Sequence, residues 1–465
     1  MGPTKNLRTI SQEAFDEVVR ENMEDLGMDP TEALEDAIQT LSLQGVDLSG
    51  IVKCVPGEGG IKDHPAMQCL DKLKRLDADA KSTFAAEDLD QVTALLNSLS
   101  ELCSDKEESG NAAIVAKNGG IELVTSICSK IPTESRPTLV SCLKTMALLL
   151  SDVQSTETFR ASGGPKIVVG IIRDGIQDLE ILNSGFAVVA LAATSNEVVK
   201  ESFMELKVDE LIFQILSGQP LGVQSLYDAI RVLLTSDDNR VVASQVYGYA
   251  RRFAKIGITK ALVESLHGGL SSPSLVSASI ALKAVAVNDE ICKSIADAGG
   301  IDALLKCVDD SGEQGNKTVA RTCCSLLCKL AGSDSNKTAI VEKGGMDRLI
   351  KLSARFSDDP SVLQEVMTII SVLCLRSLDN ATRAIEAGAG ELAIQAMQKF
   401  PAAQQMQRSS CLMIRNLVVR SPENRTLLLN NGIDKYIRKA KENHESCKDA
   451  ATDALRDLGL DNYNS

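Results

Sequence analysis

A double glycine returns along this chain at nearly constant spacing, at Gly119-Gly120, Gly163-Gly164, Gly299-Gly300 and Gly344-Gly345. Weaker copies stand at Gly257, Gly388-Ala389 and Asn431-Gly432, and Val208 holds the place where the glycines are lost. The marks at 120, 164, 208, 257, 300, 345, 389 and 432 are separated by 44, 44, 49, 43, 45, 44 and 43 residues. A period of roughly 40–47 residues without strand alternation means stacked helical repeats. Such a stack buries one continuous apolar spine and offers an extended surface rather than a closed catalytic pocket. The pattern therefore predicts a binding protein.

Composition agrees. The core is aliphatic, with aromatics at 3% and no Trp in 465 residues. The 13 cysteines are odd in number and many lie in apolar helical patterns, among them Cys323, Cys324 and Cys328. No signal peptide and no apolar run of about 18 residues is present, so secretion and membrane spanning are disfavoured. Reduced, buried thiols in the cytoplasm or nucleus fit this pattern. The net charge is −14, and residues 1–60 hold 12 acids against 4 bases. Bulk charge thus argues against nucleic acid as a partner. The acidic segment itself is expected to be partly helical or mobile.

Within residues 1–60, Ile10 to Asn22 reads as an amphipathic helix capped by Ser11, and Pro30 opens a second. The glycine-rich run Pro56-Gly57-Glu58-Gly59-Gly60 marks a boundary. Residues 61–104 are expected to form capping helices, and 105–465 the repeat domain. Each repeat divides into three helices. Asn111, Asn336 and Asn380 each stand nine residues before a glycine mark and are expected to cap the first helix. The glycine pair ends it. A second helix follows, as at Met346 to Leu352, and then a longer third, as at Val362 to Cys374. Three helices with a glycine-marked turn resemble the armadillo repeat, which implies an all-α, right-handed superhelical solenoid of about eight repeats. Ile10 to Asn22, with Gly45 to Val52 downstream, resembles the start of the armadillo repeat-containing protein 6 family. That resemblance implies an interaction protein with no catalytic motif.

Signals for chemistry are weak. Gly312-Glu313-Gln314-Gly315-Asn316-Lys317-Thr318 half resembles a phosphate-binding loop, but Asn316 interrupts it and no strand precedes it. His64, His267 and His444 lie far apart. Cys324 and Cys328 sit one turn apart with Cys307 upstream, among leucines, as core cysteines do. No catalytic residue, metal site or cofactor is assigned.

Armadillo proteins that hold extended peptides present an Asn from the third helix of most repeats, and importins add a Trp one turn earlier. Aligned on Leu330, Leu373 and Leu417, the Asn position here reads Glu101, Leu148, Ala190, Val232, Ala284, Lys329, Val372 and Asn416. One turn earlier stand Asn97, Lys144, Phe186, Asp228, Ile280, Ser325, Thr368 and Leu412. Only Asn416 matches, so a nuclear transport receptor is the alternative that the sequence disfavours. A second candidate surface lies between Arg240 and Lys260. It carries Arg240, Tyr247, Tyr249, Arg251, Arg252, Lys255 and Lys260 with no acid, in the longest step of the period. Arg and Tyr are enriched at binding hot spots, although a long amphipathic helix with solvated charges accounts for the same pattern. The expected function is a non-catalytic scaffold or adaptor for protein partners.

Overall fold

The structure is a computed structural model and describes residues 8–56, 63–80, 82–104, 110–218, 222–240, 244–460 and 462. The boundary drawn at Gly57–Gly60 lies outside the described residues. Eight three-helix repeats follow one another. Repeat one comprises Asn111–Val115, Ile121–Lys130 and Arg136–Leu149, and repeat two Val153–Ala161, Gly164–Asp174 and Leu179–Ala193. Repeat three holds Glu197–Glu205, Val208–Gly218 and Gln224–Leu233; repeat four Ser244–Lys255, Ile258–Glu264 and Leu275–Val285. Repeats five and six run through Asp289–Asp297, Gly300–Gln314, Lys317–Leu330, Asp334–Glu342, Gly345–Arg355 and Pro360–Cys374. Leu378–Ala387, Ala389–Lys399 and Gln404–Val418 make repeat seven, and Pro422–Asn430, Ile433–Asn443 and Lys448–Asp457 make repeat eight.

The two glycines of each pair do different work. The first adopts a left-handed backbone between the first and second helices: φ is +85° at Gly119, +79° at Gly163, +88° at Gly299 and +73° at Gly344. Without a Cβ, glycine enters this region freely. Where the pair is lost in repeat three, Lys207 takes the same turn at φ +61°. The second glycine is required by space instead. A Cβ on Gly164 would lie 2.2 Å from the Phe159 ring, and one on Gly345 would lie 2.6 Å from both Cγ2 and the carbonyl oxygen of Ile340.

Asn336 and Asn380 do not cap their own helices. Ser333 and Ser377 hold the N-cap positions, and each Asn sits in the first turn instead. Its side-chain amide donates backward, from Asn336 to the Leu330 carbonyl at 3.2 Å and from Asn380 to that of Leu373 at 2.8 Å. Asn111 and Asn424 do the same to Leu102 and Leu417, each at 2.9 Å. A helix end leaves four carbonyls without intrahelical partners, so the Asn closes the preceding third helix. In repeats three and five, Asn196 and Asn288 are true N-caps.

The chain divides into two compact parts, Met1–Leu211 with Ser236–Val242 and Ile212–Thr235 with Ala243–Ser465. In the N-terminal part, helices Gln12–Glu24 and Pro30–Leu43 form a hairpin around Phe15, Val19, Ala33, Ala37 and Leu41. Ser11 and Asp29 cap these helices through hydrogen bonds to Ala14 and Thr31. Arg8–Thr9 and Val46–Asp47 pair as a short parallel ribbon beneath them. The hairpin seats on repeat one. Lys117 pairs there with Asp47 and donates to Ser49 at 2.5 Å, while Asn118 donates to the Gly50 carbonyl at 3.2 Å. Helices Pro65–Asp79 and Ala86–Ser104 come between hairpin and repeats, and the latter packs on the third helix of repeat one.

In the C-terminal part, the third helices of repeats three to eight pack in succession, each against the next. Val366, Met367, Ile370 and Leu373 of repeat six are buried completely. Burying an aliphatic side chain of this size contributes about 1.5–3 kcal/mol, so the inter-helix seam dominates the stability of the stack.

Candidate binding surfaces

The third helices leave one stripe uncovered in each repeat, and the residues placed there by alignment fall on it with two kinds of exception. Glu101 and Lys329 are exposed, while Leu148, Ala284, Val372 and Asn416 are half-buried. Ala190 and Val232 are buried, and Phe186, expected one turn before Ala190, is fully enclosed. In repeat two the open stripe runs through Asn183, Ala187 and Leu191, one residue later than aligned. The apolar spacing of Leu179–Ala193 fits either register, and packing chose.

Polar groups along these stripes and at the buried seams beside them mostly satisfy one another. In the N-terminal part, Thr93 and Thr138 hydroxyls meet at 2.7 Å and those of Ser100 and Thr145 at 2.8 Å. Arg136 pairs with Asp178 and Lys144 with Glu180 in the next repeat. In the C-terminal part, Thr368 meets Ser409 at 3.1 Å. The Asn416 amide donates to both the carbonyl and the hydroxyl of Ser371, each at 2.9 Å. The one residue that matches the peptide-binding ladder thus spends its donors on the neighbouring repeat.

Lys317 pairs likewise with Asp359 and Arg415 with Asp453, but four other cations of repeats four, five and seven behave differently. Lys283, Arg321, Lys329 and Arg408 are exposed, and none forms an ion pair among the described residues. Lys283 reaches across to the Ser325 hydroxyl at 2.6 Å. Burial pushes the Cys328 thiol up to about 11, Glu365 adds to that rise, and Lys283 and Lys329 oppose it. Those three charges therefore surround one point of the surface.

The stretch from Arg240 to Lys260 is divided by the structure. Arg240 lies in the N-terminal part, where its guanidinium grips Asp238 through Nε and Nη2, both at 2.8 Å. Those hydrogen bonds hold the Asp238 carboxyl well below the usual carboxylate range. Asp238 also accepts from the Glu197 backbone at 3.1 Å, and neighbouring Asp237 takes the buried Lys200 ammonium at 2.5 Å. Lys200 in turn holds Glu197 at 2.8 Å. Arg240 is thus part of a clasp that ties residues 237–240 to the first helix of repeat three.

Tyr247, Arg251 and Lys255 lie on one exposed face of the helix Ser244–Lys255, in the other part. Tyr249 and Arg252 are half-buried beside that face, with Tyr249 accepting from Gln245 at 2.8 Å, and Phe253 is in the core. Residues 241–243 of the stretch lie outside the described residues. The long step in the period has two sources: this helix has 12 residues where most first helices have nine, and ten residues separate Leu233 from Ser244.

The remaining motifs resolve into structure. Gly315 ends one helix at φ +68°, and Asn316 caps the next by accepting from Val319 at 3.1 Å, so the phosphate-loop-like segment is a helix–turn–helix corner. All thirteen cysteines are free thiols, nine of them buried. Among the described residues no group of three His, Cys, Asp or Glu side chains is placed to hold a metal ion, and no helix is long and apolar enough to cross a membrane.

The family model ARMC6 matches residues 73–462, and that of the armadillo repeat-containing protein 6 N-terminal domain matches residues 7–83. The chain belongs to the armadillo repeat-containing protein 6 family. It is similar to armadillo repeat-containing protein 6 of Pongo abelii, with 27% identity over 392 residues, covering 80% of this chain and 75% of that relative. The human protein of the same name is 26% identical with the same coverage, and the Drosophila melanogaster homolog is 24% identical over 82% of this chain and 80% of its own. An engineered protein known from its crystal structure superposes with a TM-score of 0.62 at 17% identity, over 85% of this chain and 96% of that one. That likeness bears on fold alone.

Sequence reasoning missed two features of this family member. Lys200, Glu197, Asp237 and Asp238 look like ordinary surface charges at their separations, and only the fold closes them into a buried cluster. The excess of third-helix cations carried a signal that could have been read. The third helices of repeats four to seven hold six bases and a single acid, Glu365, in a chain of charge −14.

Proposed function

We propose that this chain is a non-catalytic scaffold or adaptor that holds protein partners along the open stripes of its third helices. The observation that carries this reading is the row of third helices itself: in each compact part they pack side by side and leave adjoining, solvent-accessible stripes. Such rows offer extended contact to a partner chain rather than enclosure of a small molecule. Membership of an armadillo repeat family supports the same reading. Thirteen free thiols agree with a reducing compartment, the cytoplasm or nucleus.

The test is to purify partners on the full-length protein and map each complex by hydrogen–deuterium exchange. Protection should concentrate on third-helix stripes; protection confined to the second helices would sink the proposal. A transport-receptor role is disfavoured by the engagement of Asn416 with Ser371. A labelled basic nuclear-localisation peptide should accordingly give no saturable micromolar binding in fluorescence anisotropy.

A further inference from the structure

On the third helices of repeats four to seven cations outnumber acids, and four of the six form no ion pair among the described residues. Lys283, Arg321, Lys329 and Arg408 are exposed and without an ion pair among the described residues, whereas Lys317 pairs with Asp359 at 3.7 Å and Arg415 is held by Asp453 at 3.0 Å and Asp457 at 3.3 Å. Their helices are joined edge to edge. Lys283 bonds Ser325, the third helices of repeats five and six pack directly on each other, Thr368 meets Ser409, and Asn416 bonds Ser371, so the stripes of the four repeats adjoin. Between the cations stand apolar side chains, with Ile280 39% exposed and Val372 and Leu412 half-buried, interspersed with half-buried Ser325, Glu365, Thr368 and Ser409.

Four exposed cations without ion pairs, with Glu365 the single acid on these helices, carry an excess of positive charge that repels itself and lowers stability. A complementary partner removes that cost and is steered to the surface by it. From this arrangement we infer that repeats four to seven hold an extended, acidic segment of a partner protein, with apolar side chains set between its carboxylates. Adjacent packed helices stand about 8–10 Å apart, and an extended chain advances about 3.3 Å per residue. Three such gaps correspond to a segment of about eight or nine residues. A nucleic acid fits less well, because these helices present no Phe or Tyr on which a base could stack, and the chain as a whole is strongly acidic. The inference rests on the scaffold reading and gives its partner a chemistry.

The experiment uses the full chain and a fluorescein-labelled peptide of three Asp-Glu-Ile-Ser units, with its lysine counterpart and a single-stranded RNA of equal length as comparators. Anisotropy should show binding of the acidic peptide that weakens as salt rises from 50 to 300 mM, and no binding of the lysine peptide. The variant Lys283→Glu, Arg321→Glu, Lys329→Glu, Arg408→Glu should lose at least tenfold in affinity while keeping its melting temperature within a few degrees. Undiminished binding by a folded variant overturns the inference, as does RNA that outcompetes the peptide. If the acidic peptide fails while exchange mapping still finds partners on third helices, the acidic assignment falls and the scaffold stands. Should the mapping fail as well, both fall.

Discussion

The third helices of the two parts of this molecule differ in how far their charges are paired. In the N-terminal part, Arg136 and Lys144 pair across repeats with Asp178 and Glu180, and the capping helix Ala86–Ser104 carries Glu87, Asp88, Asp90 and Glu101 with no base. In the other part Lys317 and Arg415 also pair with the next repeat, but Lys283, Arg321, Lys329 and Arg408 are exposed and form no ion pair among the described residues. The packed faces are equally aliphatic in both, so the backbone does not require the difference. One row pairs its cations, and the other leaves four of them without an ion pair among the described residues, which is the difference the proposed binding surface rests on.

The sharpest way to break this comparison is to remove one cation from each part. Lys200 is fully buried between Glu197 and Asp237. Lys200→Ala leaves two carboxylates uncompensated and should cost about 3–5 kcal/mol in denaturant unfolding. Lys329→Ala, on an exposed stripe, should change stability by no more than about 0.5 kcal/mol. Equal losses at the two sites would show that the open cations are structural after all.

Next in size is the turn. Gly344→Val forces a β-branched residue into φ +73° and should destabilise repeat six by about 1–2 kcal/mol. Lys207→Gly relaxes the one non-glycine copy of that turn, at φ +61°, and is expected to raise the melting temperature slightly. A fall instead would mean that the Lys207 side chain, which pairs with Glu210 at 3.1 Å, outweighs its backbone strain.

A smaller effect depends on pH. Burial pushes the Asp47 carboxyl up, but hydrogen bonds from Lys117 and Ser49 outweigh it and bring it from 3.8 to about 2. A carboxyl depressed by folding stabilises above its unfolded value, and that contribution is lost as pH falls from about 4 toward 2. Release of the hairpin from repeat one, followed by exchange protection at Val52 and Asn118, should steepen across that window in the wild type. Lys117→Met should flatten it, and an unchanged profile would remove the ion pair from the docking.

The smallest expected change in stability is at the helix Ser244–Lys255. Reversing Arg251 and Arg252 should leave the melting temperature nearly unchanged, since exposed charges contribute little. If this face is a second partner surface, the same variant loses one interaction seen in exchange mapping. If it keeps every partner, the face is solvated helix and the open surface belongs to the third helices alone.

Spacing alone determined the repeats. Gly119, Gly163, Gly299 and Gly344 must be glycine because a left-handed turn recurs there, and a recurring backbone need is written directly as a recurring residue. The three-helix repeat and the missing Asn ladder follow from the same periodicity. Tertiary structure decided everything that depends on neighbours about 40 residues away. It enclosed Phe186, brought the Asn336 amide to the Cys292 carbonyl, and engaged Asn416 with Ser371. It also buried Lys200 with Glu197 and Asp237 while leaving Lys329 open. A lysine carries the same charge in both places. Whether that charge is neutralised depends on which side chain the next repeat brings within about 4 Å, a distance that sequence separation does not encode.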